Sequence, residues 1–276
     1  MYRVERKEIF INSKETLSYR FRHGGPNILI LLHDNYASSR NFDFLMENIS
    51  EAYTLYAIDM RGFGNSSYLS KIAAIKDLSD DVFYFAKAIG IEKYSLLGWG
   101  LGGNVLMQYA LDYPNTVHKL IFMNSYGLNG CSNAKSSDAS HKTHKAFEAW
   151  KLNTNDRKLK KHLLKTHYHK NKPPKNRFNF YLREMKMQRN LEDVLHACSK
   201  FNLDPEQVKK IQQETLIIHG KKDKTVSLKE AKALKTILNH NATLHIVEKG
   251  DHAVMLGTLG ETLRIVESFL TEKNPS

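Results

Sequence analysis

"YSLLGWGLGG", residues 94–103, is an apolar run that ends in a glycine-rich turn, and its reading decides the fold. Gly98, Gly100 and Gly103 spell G-x-G-x-x-G, the fingerprint of a dinucleotide site. Gly98, Gly100 and Gly102 equally fill the frame G-x-S-x-G of a nucleophile elbow, with glycine at the nucleophile position. The fingerprint requires an acidic residue about 20 positions on, at the end of the next strand. That strand ends "FMNSYG", with Asn124 and Ser125 and no carboxylate, so the elbow is the better reading.

The surrounding pattern supports it. Short apolar runs at 27–33, 53–59, 94–98, 119–124, 215–220 and 243–248 read as buried parallel strands. Residues 1–22 suggest a leading antiparallel pair. Between the runs, Ile75, Leu78, Val82, Phe85 and Ile89 mark one face of a helix, and Leu256, Leu259, Leu263, Val266 and Leu270 mark another. Alternating strands and helices predict an α/β fold, a mostly parallel, doubly wound sheet. Three segments are expected: a first part of the core at 1–126, a helical cap at 127–210 inserted after the sixth strand, and a second part of the core at 211–276.

Ligand sites of such sheets form at the carboxyl ends of the strands. Four loops meet that condition besides the elbow. "LLHDNYASSRNF" and "DMRGFGNSS" follow the third and fourth strands, "IIHGKKDKTV" places Asp223 just past a strand, and "VEKGDHAVM" places His252 past the next. The order Gly100, Asp223, His252 is the nucleophile–acid–histidine order of a hydrolase triad.

His33-Asp34, the run Asp59-Met60-Arg61-Gly62-Phe63-Gly64-Asn65-Ser66, and Gly98-Trp99-Gly100-Leu101-Gly102-Gly103 resemble the H-G, D-x-R-G-x-G-x-S and G-x-S-x-G-G motifs of the α/β-hydrolase superfamily, its esterase, lipase and peroxidase-like group. The resemblance covers all but the cap. "NYASSRNFD", "YAIDMRGFGNSSY" and "SLLGWGLGG" are also loosely similar to intracellular polyhydroxyalkanoate depolymerases. It implies that Asp223 orients His252 as general base, that the backbone N–H groups of Asn35 and Leu101 form the oxyanion hole, and that His33, Asp34, Trp99 and Ser125 line the pocket. Two positions depart from the pattern. Gly100 replaces the nucleophilic serine, and Asp34 replaces a glycine beside the oxyanion hole, where a negative charge opposes a developing oxyanion. Asp34 is compatible with a left-handed turn or with a solvated turn residue. Ser125 is a weak substitute nucleophile. The pair Asp223/His252 is also compatible with a retained structural hydrogen bond.

The implied function is that of a carboxylic-ester hydrolase lineage acting on acyl or hydroxyalkanoate esters, inactive or very slow without the serine. The alternatives are a non-catalytic protein that binds a ligand in the same pocket, or a protein that binds an anionic partner through the cap. Residues 131–210 hold 19 Lys+Arg against 8 Asp+Glu, almost the whole of the chain's +12 charge. Tyr168, Phe178, Phe180 and Tyr181 interleave aromatics with that charge, without a named nucleic-acid motif. "HKTH" (141–144) and "HYH" (167–169) lack the carboxylate or cysteine partners of a metal site, so no metal and no cofactor are expected. Two cysteines, Cys131 and Cys198, give no disulfide framework and read as free, buried apolar groups. With no apolar span and no signal peptide, a cytoplasmic location and no integral membrane association are expected.

Overall fold

The computed structural model describes residues 3–131, 161 and 175–271. Each apolar run of the sequence is a strand. They are β1 (Glu5–Ile11), β2 (Glu15–Arg22), β3 (Asn27–Leu32), β4 (Tyr53–Ile58), β5 (Tyr94–Trp99), β6 (Val117–Met123), β7 (Glu214–Gly220) and β8 (Ala242–Val247). They form one sheet in the order β1-β2-β4-β3-β5-β6-β7-β8. β1 pairs antiparallel with β2 and β2 with β4, and every other pair is parallel.

The central strands β3, β5, β6 and β7 are predominantly apolar because both faces are covered. Along β3, Ile30 and Leu32 enter one core while Leu29 and Leu31 enter the other. β6 divides likewise, with Leu120 and Phe122 on one side and Ile121 and Met123 on the other. Helices α2 (Ile75–Ala88) and α3 (Leu101–Asp112) cover the first face, and α1 (Asp43–Asn48) the second. Full burial of each such Leu or Ile stabilises by about 1.5–3 kcal/mol.

The segment between β6 and β7 includes α4 (Lys175–Lys186), α5 (Leu191–Lys200) and the single turn α6 (Pro205–Val208). Phe178, Tyr181, Leu182 and Met185 of α4 are buried in the second core, and Val194, Ala197 and Cys198 of α5 in the first. Phe178 and Tyr181, two of the aromatics interleaved with the basic charge, are core residues. Tyr168, the Phe180 side chain and the HKTH and HYH motifs lie outside the described residues.

After β7 come α7 (Leu228–Leu238), α8 (Val254–Gly257) and α9 (Leu259–Thr271). The C-terminal stripe differs from expectation. Thr258, with φ −126° and ψ 37°, breaks the helix, so Leu256 lies in the separate turn α8. Val266 and Leu270 of α9 are buried, with Thr262 and Phe269 beside them. Among the described residues, no helix is long and apolar enough to cross a membrane.

Candidate functional site

β5 delivers the chain to Gly100, and α3 starts at the next residue. Gly100 turns the chain with φ 54° and ψ −114°, a conformation strained for any side chain. As N-cap of α3 it has no side chain to receive the helix's free N–H groups. The cap comes from elsewhere. Asp34 Oδ1 accepts the Leu101 N–H at 2.7 Å. A Cβ placed on Gly100 would fall inside that carboxylate, far closer than real Cβ atoms approach their neighbours. The acid from the loop after β3 thus fills the space of the missing side chain at position 100.

Asp34 is held there by its own loop. The ring of His33 bridges Asp34 O at Nδ1 (2.7 Å) and the Met60 N–H at Nε2 (3.1 Å), which assigns it the neutral tautomer with its proton on Nδ1. His33 is fully buried and ties the loop to the end of β4; it does not line an open pocket. Asp34 is only 1% exposed, so it is no solvated turn residue. Nor is it left-handed: Tyr36, with φ 57°, makes that turn.

Asp34 Oδ2 lies 2.9 Å from His252 Nε2, and His252 Nδ1 lies 2.8 Å from Asp223 Oδ2. The imidazole therefore bridges two carboxylates, and all three groups are buried. Burial alone would depress the His252 pKa, but the Asp223 charge and hydrogen bond, followed by those of Asp34, lift it to about 10. The two flanking carboxylates thus favour the imidazolium form of His252, and its Nε2 meets Asp34. Burial pushes Asp223 up, yet the charge and hydrogen bond of His252 outweigh it, and the Asp223 pKa ends below its ordinary value. The N–H groups of Thr225 (2.7 Å) and Val226 (2.9 Å) donate to the other Asp223 oxygen.

Two residues that position this cluster carried no role in the sequence reading or a different one. Asn124 Nδ2 donates to Asp223 Oδ2 at 2.7 Å and to the carbonyl of Asp251 at 3.2 Å, from a backbone with φ 45°. The sequence flagged it only as a non-carboxylate at a strand end. Trp99 Nε1 donates to His252 O at 2.8 Å, and its ring lies 5.6 Å from the imidazole, so it anchors the histidine. Ser125 packs against the elbow glycines. Its hydroxyl donates to Gly98 O at 3.1 Å, behind the elbow, where α3 has Gly103 and no Cβ to intrude.

Leu101 N–H, one of the two expected oxyanion donors, is occupied by Asp34. Asn35, the other, is buried, and its side-chain oxygen accepts from Tyr36 N–H (3.1 Å) and from Gln188 Nε2 (2.8 Å). Gln188 lies between α4 and α5 and also donates to Asn190 Oδ1 (3.1 Å), while the Arg189 N–H donates to Gly62 O (2.8 Å). This stretch stitches the insert onto the loops after β3 and β4. No sequence signal marks it, because its partners are brought together only by the tertiary fold. The D-x-R-G-x-G run is also structural. Asp59 accepts the Ser39 and Asn65 N–H groups (2.7 and 3.0 Å), and Arg61 makes a two-pronged bond to Asp81 (2.7 Å each). Among the described residues, no cluster of three or more His, Cys, Asp or Glu could hold a metal ion.

The alpha/beta hydrolase fold family model matches residues 23–258, and the chain belongs to that family. A pimeloyl-[acyl-carrier protein] methyl ester esterase from Proteus mirabilis is 34% identical over 97 residues, 35% of this chain and 36% of that protein. The match thus spans about a third of that relative's length. A lipase candidate from Acinetobacter baumannii superposes with a TM-score of 0.83 at 20% identity, over 97% of this chain and 91% of its own. A serine-to-alanine variant of a meta-cleavage product hydrolase from Pseudomonas fluorescens gives 0.79 at 20%, over 98% and 99%. The two structures share the fold.

Proposed function

We propose that this member of the alpha/beta hydrolase fold family descends from carboxylic-ester hydrolases acting on acyl or hydroxyalkanoate esters, and that it is inactive or very slow on esters itself. One observation carries this reading: the Asp34 carboxylate lies in the nucleophile's space, bonded to both Leu101 N–H and His252. Three consequences follow for ester chemistry. No hydroxyl is present at position 100 to form an acyl-enzyme. The Leu101 donor that would stabilise a tetrahedral oxyanion already holds an anion. The histidine that would take a proton already carries one.

The esterase among the relatives is consistent with the lineage, and the intact Asp223–His252 pair is the part of the machinery that persists. Loss of a triad nucleophile costs about 10⁶ in kcat, with about 10³–10⁴ over water left to binding and the oxyanion hole. With the hole filled, even that remainder falls.

The test is p-nitrophenyl acetate and butyrate turnover together with fluorophosphonate labelling of the native chain. The expected result is no pre-steady-state burst and no labelled residue. A burst of stoichiometric size, or a phosphonate adduct on any side chain of the cluster, would refute the proposal. Binding of a non-hydrolysed ester or carboxylate without turnover would assign the pocket to a ligand-binding role.

A further inference from the structure

The chain's two cysteines, Cys131 and Cys198, are far apart in sequence, and the fold brings them together. Cys131 ends the described loop after β6, and Cys198 lies in the last turns of α5. The Cys131 N–H donates to Cys198 O at 3.4 Å, and nearby the Leu203 N–H donates to Leu128 O at 3.0 Å. The two segments are thus tied by their backbones on either side of α5's end.

The side chains meet as well. Cys131 Sγ lies 4.0 Å from Leu195 O, one turn before Cys198. Helical side chains lean toward the helix N-terminus, so the Cys198 thiol covers that same turn. A backbone hydrogen bond between the two residues keeps their Cα atoms close, and a disulfide requires roughly 4.4–6.8 Å. Cys198 is buried, whereas Cys131 is partly exposed.

We propose that Cys131 and Cys198 are an oxidative modification site, at which a hydroperoxide converts the thiol pair to an intramolecular disulfide. The hydrogen bond from Cys198 holds the Cys131 thiol below its ordinary pKa despite burial, and that bond together with burial drives Cys198 well above. Cys131 is therefore the attacking thiolate and Cys198 the resolving thiol. Cys131 sulfur attacks one peroxide oxygen, the O–O bond breaks, and the displaced oxygen leaves as water after protonation. This yields a sulfenic acid. Cys198 sulfur then attacks the sulfenic sulfur, the S–O bond breaks, and a second water departs with the Cys198 proton. Two thiols and one hydrogen peroxide become one disulfide and two waters. The bond would close the chain across the insert without moving α5, because the backbones already touch. It is independent of what the elbow does.

The experiment treats the full-length reduced chain with a small excess of hydrogen peroxide, quenches with an alkylating agent, and reads intact mass and non-reducing peptide maps. The expected product is a monomer lighter by two hydrogens, with a Cys131–Cys198 cross-linked peptide, reversed by dithiothreitol. Its melting temperature should rise by roughly 5 °C or more, as closing a loop of this length constrains the unfolded chain. Before oxidation, Cys131 should alkylate at least about tenfold faster than Cys198. In Cys198→Ser, Cys131 should instead accumulate sulfenic acid, which dimedone captures. Intermolecular dimers, overoxidised Cys131 with free Cys198, or two unchanged thiols in the native chain would each overturn the proposal.

Discussion

Gly100→Ser, the simplest restoration of a serine nucleophile, should fail alone and succeed only with Asp34→Gly. The Cβ of residue 100 would overlap the Asp34 carboxylate, so the acid must retreat by at least roughly 1 Å in a close-packed interior. Retreat breaks the bonds to Leu101 N–H and His252 and strands a buried charge, at about 3–5 kcal/mol. The elbow backbone, with φ 54°, adds about 1–3 kcal/mol for a non-glycine residue. A sum of roughly 4–8 kcal/mol is comparable to the whole stability of a typical domain. The single variant should therefore melt at least about 10 °C lower, or not fold, and show no gain in esterase activity. Removing the Asp34 side chain relieves the overlap, frees the Leu101 donor, and leaves His252 facing the new hydroxyl with only Asp223 behind it. The double variant should hydrolyse p-nitrophenyl butyrate at least about a hundredfold faster than the native chain, a fraction of what a whole triad supplies. Calorimetry and steady-state kinetics on the four members of the cycle check both parts. A hundredfold gain in the single variant at unchanged melting temperature would show that Asp34 does not occupy the elbow. A folded double variant with no gain would remove the ester-hydrolase lineage as the explanation of the site.

Further outcomes follow from the same geometry. With its folded pKa raised to about 10 against 6.5 unfolded, His252 contributes stability that is fully present below pH 6.5 and lost as pH rises to about 10. Chemical denaturation from pH 6 to 10 should show that decline, and nitrogen-15 spectra should show His252 protonated at both ring nitrogens at pH 8. Asp34→Asn should lower the His252 pKa by removing one of its two flanking charges, read from the same spectra. Asn124→Ala leaves Asp223 without its amide donor and should cost about 1–3 kcal/mol, read as a lower melting temperature. The basic excess of residues 131–210 is tested with single-stranded DNA, anionic vesicles and a long-chain carboxylate. A nucleic-acid partner should show log K falling linearly with log salt, and no binding at low salt would make the charge a solubility feature.

The sheet was legible because its signal is periodic and redundant. Six apolar runs, those at the centre buried on both faces, mark the parallel strands, and the elbow glycines fix where the chain turns. The positions of Asp223 and His252 were legible too, since chain order and strand ends suffice to place them in one site. The chemistry of that site was not. The family resemblance implies a glycine where Asp34 stands, but nothing in the sequence tells that its carboxylate crosses to the neighbouring strand's elbow, a contact between residues 34 and 101 set by strand pairing. The His252 pKa rests first on Asp223 and then on the second Asp34 oxygen, so that share was hidden as well. The contacts of Ser125 were hidden for the complementary reason: a hydroxyl at a strand end is common, and only the tertiary fold shows that it bonds Gly98 O beside Gly103.

Gly100 and Asp34 are structurally interdependent. An Asp34 carboxylate requires a residue without Cβ at the elbow, because any side chain there would occupy the same volume. A glycine elbow, for its part, leaves the first N–H groups of α3 without a side-chain cap and leaves His252 Nε2 facing an empty space. Asp34 satisfies both, placing an anion at a helix N-terminus, where the peptide dipoles favour it, and against an imidazolium. Each substitution alone creates a buried defect, and together they form a closed hydrogen-bonded cluster. The cluster also accounts for the persistence of Asp223 and His252 in a site without a hydroxyl. Removing either would leave the other charges buried and unpaired, so the cluster's own stability suffices to hold them even where no ester is turned over.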